Sequence, residues 1–227
     1  MSEPVTLRRA EGHATLTIDD GKVNALSPAT LAAIGAALDA VEGDGTPVVV
    51  KGRPGVWSAG FDLKVLRAGG PDAMPMLQSG FELAARVLEF PAPVVMVATG
   101  HAVAMGLFLL CSGDYRIGVD GDYRVTANEV AIGLTVPDAA IAILRHRLAP
   151  AYLDRAVGLA EVFDPRGALA AGCLDRVVAP AQLDATVAST VELLAGLDRA
   201  AHVASKRRAR RETLAALRSA IDAQLPR

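Results

Sequence analysis

Two stretches of small residues carry the chemistry most open to inference in this chain. The first, Ser58-Ala59-Gly60-Phe61-Asp62-Leu63-Lys64, follows an apolar strand over 47–51 and a loop of Gly and Pro. It opens a short helix over 63–67 with Asp62 placed as its cap. The second, Thr99-Gly100-His101-Ala102-Val103-Ala104-Met105-Gly106, runs from another apolar strand into a helix expected to begin near Ala102. The first N–H groups of a helix have no intrahelical partner and sit at the positive end of its dipole, so each turn can hold an anion or a developing negative charge. Either turn alone reads as an ordinary strand-to-helix connection. Converging on one oxygen, the pair would form an oxyanion hole, in which each donor is worth roughly 2.7 to 4 kcal/mol in the transition state.

The elements that must position these turns follow from local pattern. Strands are expected over 5–9 and 14–18, the second alternating apolar and polar residues as a half-buried strand does. Ser27 as N-cap and Pro28 at the first helical position start a helix that carries Leu31, Ile34, Leu38 and Val41 on one face and ends at Gly43. A helix over 72–90 follows, with Met74, Leu77, Phe81, Leu83, Val87 and Leu88 facing the core or a pocket. Further strands are expected over 93–98, 115–119, 123–125 and 174–178. Helices are expected over 138–148, 152–159, 166–171, 181–197 and 201–225. Strands come early and helices late. The chain therefore divides into an α/β core over 1–172 and a helical C-terminal part over 173–227, and the order strand, strand, helix recurs within the first.

At 227 residues the chain can bury a large core in one substantial domain, and 52% of its residues are apolar. A formal net charge of -2 points to neither nucleic acid nor an acidic membrane surface as partner. The run Lys206-Arg207-Arg208-Ala209-Arg210-Arg211 lacks interleaved aromatics and reads as a solvated helical face. Cys111 and Cys173 have apolar or small neighbours and no paired spacing, as buried reduced thiols do; with no basic-then-apolar leader, a cytoplasmic location is expected. Residues 92–111 approach the length of a membrane span, but Pro91, Pro93 and Thr99-Gly100-His101 divide them into a strand and a helix, so no membrane partner is expected. His101 and His146 have no metal-ligand spacing, Ser112 sits in no nucleophile-elbow pattern, and no metal site is expected.

Taken in order, Asn24-Ala25-Leu26, Ser58-Ala59-Gly60-Phe61-Asp62-Leu63, Pro91-Ala92-Pro93-Val94 with Gly100-His101-Ala102, Asp114-Tyr115-Arg116 and Glu129-Val130-Ala131-Ile132-Gly133 with Pro137 resemble the crotonase superfamily, the enoyl-CoA hydratase and isomerase group. The resemblance covers nearly the whole chain. It implies an α/β fold, a crotonase-like spiral of ββα units with a helical C-terminal part that assembles subunits as a homotrimer or hexamer. The implied partner is an acyl-CoA thioester, coenzyme A being part of the substrate and no separate cofactor being needed. Mapped by position, the oxyanion donors are the N–H groups of Phe61 and Met105, the latter a departure from the family's common Gly that leaves the task to backbone geometry. Ala25, Ala59, Gly60, Asp62, Leu63, Lys64, Gly106 and Phe108 fall at substrate-binding positions. The two methionines of the 72–90 helix and Phe81 are candidates for an acyl pocket or for ordinary core. Lys64, Arg67 and the C-terminal basic run are candidates for the phosphates.

Family hydratases use two glutamates. The second maps to Glu129, whose apolar surroundings are expected to raise its pKa, and the first maps to Phe108, which can move no proton. A lone carboxylate suits a Δ3-Δ2-enoyl-CoA isomerase, in which one group takes a proton at C2 and returns it at C4. The alternatives are a 2-enoyl-CoA hydratase working with Glu129 alone, and a catalytically weak acyl-CoA-binding homologue.

Overall fold

Along most of the chain, one strand enters a large sheet, the next enters a small one, and a helix closes the unit. The computed structural model describes residues 3–224. A hairpin of β1 (Val5–Ala10) and β2 (His13–Ile18) leads into α1 (Pro28–Glu42), where the Ser27 hydroxyl accepts from the Thr30 N–H as the sequence predicts. The repeating units are then β3 (Val48–Lys51), β4 (Gly55–Ser58), α2 (Leu63–Ala68) and α3 (Ala73–Glu89); β5 (Val94–Ala98), β6 (Gly100–Val103) and α4 (Met105–Ser112); β7 (Tyr115–Val119), β8 (Val125–Thr126) and α5 (Asp138–Arg147). The chain continues through α6 (Pro150–Gly158), α7 (Pro165–Ala171), β9 (Arg176–Val178), α8 (Leu183–Ala195), α9 (Arg199–Ala209) and α10 (Arg211–Gln224). Residue 225, the end of the last expected helix, lies outside the described residues.

The large sheet has the order β1-β2-β3-β5-β7-β9, parallel except for the opening hairpin, and the small sheet has the order β4-β6-β8 with both pairings parallel. Successive side chains of a strand point to opposite faces. Thus Val48, Val50, Val94 and Met96 enter the main core, while Val49, Val95, Val97 and Ile117 pack on the other face with Val191 of α8. Burial on both faces is why these strands read as unbroken apolar runs.

Three expectations are corrected here. The helix expected near Ala102 begins at Met105, because residues 100–103 pair with β4 and β8 as a strand. Residues 55–58, read as part of a loop and turn, are the partner strand β4. The helix expected over 201–225 is two helices, broken at Arg210.

The segment 173–227 contributes β9 to the large sheet, and its last helix packs along α3 and α5. Its basic run is not uniformly solvated. Lys206 donates to Asp114 at 2.7 Å and to the carbonyls of Phe90 and Ala92, and Arg210 bonds Asp114 at 2.8 Å and the Leu88 carbonyl at 2.9 Å. The former solvated-face and phosphate readings therefore do not apply to these two buried cations. No helix among the described residues is long and apolar enough to cross a membrane.

Candidate active site

The three strands of the small sheet end side by side, and each delivers one piece of the site. Past β4 comes Phe61, past β6 comes Met105, and past β8 comes Glu129. Parallel strands put their carboxyl ends on one side, where α/β proteins bind ligands.

The first turn is braced from several directions. Asn24, in a left-handed conformation at φ 51°, donates from its side chain to the carbonyls of Ile18 and Trp57, and the Ser58 hydroxyl donates to the Asn24 carbonyl at 2.7 Å. The Gly60 N–H donates to Ser58 Oγ, the Gly60 carbonyl accepts from Leu26, and the Ala59 N–H donates to Val23. Asp62 caps α2 by accepting from the Lys64 N–H at 2.8 Å. Trp57 Nε1 donates to the Gly106 carbonyl at 2.7 Å, tying the first turn to the helix of the second. Gly60 has φ 88°, and a Cβ there would lie 2.9 Å from Ala104 Cβ and 3.1 Å from Met105 N, so only glycine lets the two turns touch. Among the described residues neither the Phe61 N–H nor the Met105 N–H has a hydrogen-bond partner, whereas the neighbouring Gly60 and Ala104 N–H groups do.

Met105 meets its backbone demands by shifting them. It is the first residue of α4 with no positive φ, and the strained residue is Ala104, at φ 51° and ψ -127°, a region nearly confined to glycine that costs about 1 to 3 kcal/mol. The Met105 side chain is wholly buried behind the turn and does not line the cavity.

That cavity, of about 410 Å³, is lined by Ala59, Phe61, Leu63, Leu66, Leu77, Phe81, Ala104, Phe108, Asn128, Glu129, Ile132, Leu134, Thr135 and Pro137. Phe81 sits edge-on to Phe61 with centroids 6.1 Å apart and stacks on Phe108 at 6.4 Å. Glu129 is the single ionisable side chain among these residues. Its carbonyl accepts from the N–H groups of Ile132 and Leu134 at 3.0 and 2.9 Å, which fixes its backbone at the head of a tight turn. The residue is only 8% exposed, and its Oε2 has no partner among the described residues. Burial pushes its carboxyl pKa above the usual carboxylate value, and its own backbone N–H opposes this only in part.

The structure thus brings Ala59, Phe61, Leu63, Phe108 and Glu129 to one cavity, while Gly60 and Met105 stand next in the chain to its lining residues Ala59, Phe61 and Ala104. It leaves others outside. Asp62 caps its helix, Lys64 and Arg67 project from α2 into solvent, and Ala25 stands one residue before the Leu26–Phe61 bridge, its carbonyl accepting from Ser27. Gly106 forms the wall behind the second turn against Ser58. Phe81 and Leu77 line the cavity as expected of a pocket face. The two methionines do not: Met76 is buried elsewhere and Met74 is 44% exposed. Leu66, Leu134 and Thr135 were not singled out by the sequence, whereas Ile132 and Pro137 fall in the motif that follows Glu129. His101 is structural, its Nδ1 accepting from the Arg124 N–H, and the Ser112 hydroxyl donates to the Phe108 carbonyl.

A model of the enoyl-CoA hydratase/isomerase family matches residues 8–225. Over 225 residues the chain is 30% identical to the probable enoyl-CoA hydratase echA17 of Mycobacterium avium, covering 96% of this chain and 82% of that one. It is 45% identical to an enoyl-CoA isomerase of Mycobacterium tuberculosis solved in its apo form, with TM-score 0.93 and coverage of 98% and 97%. The human mitochondrial delta3-delta2-enoyl-CoA isomerase is 27% identical with TM-score 0.92, covering 98% of this chain and 89% of that one. With the two bracing turns, the small sheet that carries them and Glu129 at the end of its third strand, the chain belongs to the enoyl-CoA hydratase/isomerase family, of crotonase fold.

Proposed function

We propose that this enzyme moves the double bond of a 3-enoyl-CoA into conjugation with the thioester, giving the 2-enoyl-CoA, with Glu129 as sole proton carrier. The observation that carries the reading is the cavity's single ionisable group: Glu129 shares the cavity with Phe61, Phe81 and Phe108, the last being the position to which the family resemblance assigns a hydratase's first glutamate.

The thioester oxygen sits between the N–H groups of Phe61 and Met105. The Glu129 carboxylate takes a proton from C2, and the C–H electron pair becomes the C1–C2 double bond of a dienolate whose negative oxygen the two donors hold. The carbonyl then re-forms, the pair from C1–C2 shifts to C2–C3, and the former C3–C4 π pair takes the proton back from Glu129 at C4. No water enters and no net proton is consumed. A raised pKa makes Glu129 a stronger base and brings it nearer that of the thioester C–H, the direction proton transfer requires. Hydration would need an acid and a base at once, and the lining residues offer one such group.

Assembly is part of the same proposal. Leu159, Val162, Leu193 and Leu197 are large apolar side chains left about half exposed or more in the C-terminal third, as a subunit interface would use them. The catalytic reading is tested by following double-bond position after adding 3-enoyl-CoA to wild type and Glu129→Gln. Conversion by the first and its loss in the second are expected. Full turnover by Glu129→Gln on every enoyl-CoA tried would remove the proposal.

A further inference from the structure

We infer that Gly80 is a positioning residue for the oxyanion hole: the side chain missing from α3 at this point is the seat of the Phe61 ring, and that seat holds the Phe61 N–H in place. The inference rests on the enolate chemistry proposed above.

Gly80 lies inside a regular helix and has no left-handed φ, so its backbone does not require glycine. In a helix interior glycine is unfavourable relative to alanine. What requires it is contact. A Cβ at position 80 would lie 2.4 Å from Phe61 Cε1 and 2.5 Å from Cζ, distances that real atoms do not adopt, and 3.7 Å from Met105 Cε. Gly80 therefore meets the side chains of both residues whose N–H groups face the thioester oxygen. The Phe61 ring is bounded again by the edge of Phe81, while its backbone is held by the Leu26 bridge. With the backbone held and the ring bounded on a second side, displacing the ring is inferred to turn the residue between them, and the free N–H with it.

The test compares Gly80→Ala, Phe61→Leu and the double variant, since leucine lacks the two ring atoms that the new Cβ would strike. The readouts are kcat and KM on 3-enoyl-CoA, thermal midpoint, and affinity for a 3-ketoacyl-CoA, whose enolate shares its charge between the ketone oxygen and the thioester oxygen that the hole would hold. Gly80→Ala is expected to lower kcat about 10- to 100-fold, short of the roughly 10²–10³ loss of a whole donor. KM should move less than about threefold, enolate affinity should fall with kcat, and the midpoint should fall modestly, since alanine's gain in the helix offsets only part of the overpacking. In the Phe61→Leu background the same substitution should cost less than about threefold, by the coupling expected of residues in contact.

A Gly80→Ala enzyme within about twofold of wild type in kcat and enolate affinity would overturn the inference, and so would a penalty undiminished in the Phe61→Leu background. Should Gly80→Ala not fold, the double variant decides: folding with enolate affinity close to that of Phe61→Leu supports the seat, and failure to fold contradicts it. If wild type binds the enolate yet isomerises nothing, the isomerase reading falls while the affinities still decide the role of Gly80. Wild type that binds no enolate contradicts both.

Discussion

Asp114 and Glu129 are both carboxylates largely shielded from solvent beside strands of parallel sheets, and the protein treats them in opposite ways. Asp114 receives the Val94 N–H at 2.7 Å, the Lys206 ammonium at 2.7 Å and the Arg210 guanidinium at 2.8 Å, so its charge is met on every side and locks α9 and α10 to the core. Glu129 has one oxygen with no partner among the described residues and no cation in its cavity. A paired buried charge holds structure but cannot easily move a proton, whereas an unpaired one is costly to keep and reactive. Their difference separates the framework of this enzyme from its chemistry.

The sharpest way to break that comparison is to neutralise each carboxylate in turn. Glu129→Gln should lower kcat by about 10² to 10⁴, the range of a positioned general base, while leaving the fold intact or more stable. The sign follows from linkage. A carboxyl whose folded pKa is raised contributes stability that is full below the unfolded value and lost as pH rises through the folded value, so wild type bears this cost at neutral pH and the glutamine variant does not. Melting of the two proteins across pH should show the variant ahead at neutral pH and the gap closing in acid.

Asp114→Asn should do the reverse. Lys206 and Arg210 would be left buried without a counter-charge, and losing one partner of such a set costs about 3 to 5 kcal/mol. Denaturant unfolding should register that loss, and turnover per folded molecule should stay near wild type. Burial already draws the Lys206 pKa down to about 8 despite the attraction of Asp114.

A subtler effect lies in the pH profile of the wild-type enzyme. With Glu129 as the proposed proton carrier, starting from its carboxylate, kcat/KM should fall as pH drops through its pKa, and that acid limb should lie above the usual range for glutamate. The smallest effect is expected at Ala104. Glycine there relieves the φ 51° backbone but loses more entropy on folding, so Ala104→Gly should gain about 1 kcal/mol at most in denaturant unfolding with kcat unchanged.

Much of this site was legible in the sequence because its signals are local. Ser27 and Asp62 announce their helices by capping chemistry, and Glu129 stands out as a carboxylate in an apolar run. The small sheet was not legible. Gly55–Ser58 and Gly100–Val103 are four-residue strands of small and mixed residues, with no period to read, and each exists because the other lies beside it from a distant part of the chain. That hidden pairing also displaced the expected helix start from Ala102 to Met105 and moved the strain onto Ala104. Lys206 and Arg210 misled for a related reason: a basic run on a helix looks solvated until Asp114, 92 residues from Lys206, is brought beneath it. Gly80 was silent for the same cause, since only the folded chain sets the Phe61 ring against it.

The claim that one unpaired carboxylate sets the reaction is tested most directly by the fate of 3-enoyl-CoA in isotopically labelled water. The account predicts 2-enoyl-CoA as the product of the wild-type enzyme with no oxygen from solvent. A labelled 3-hydroxyacyl-CoA as the main enzymatic product would contradict it.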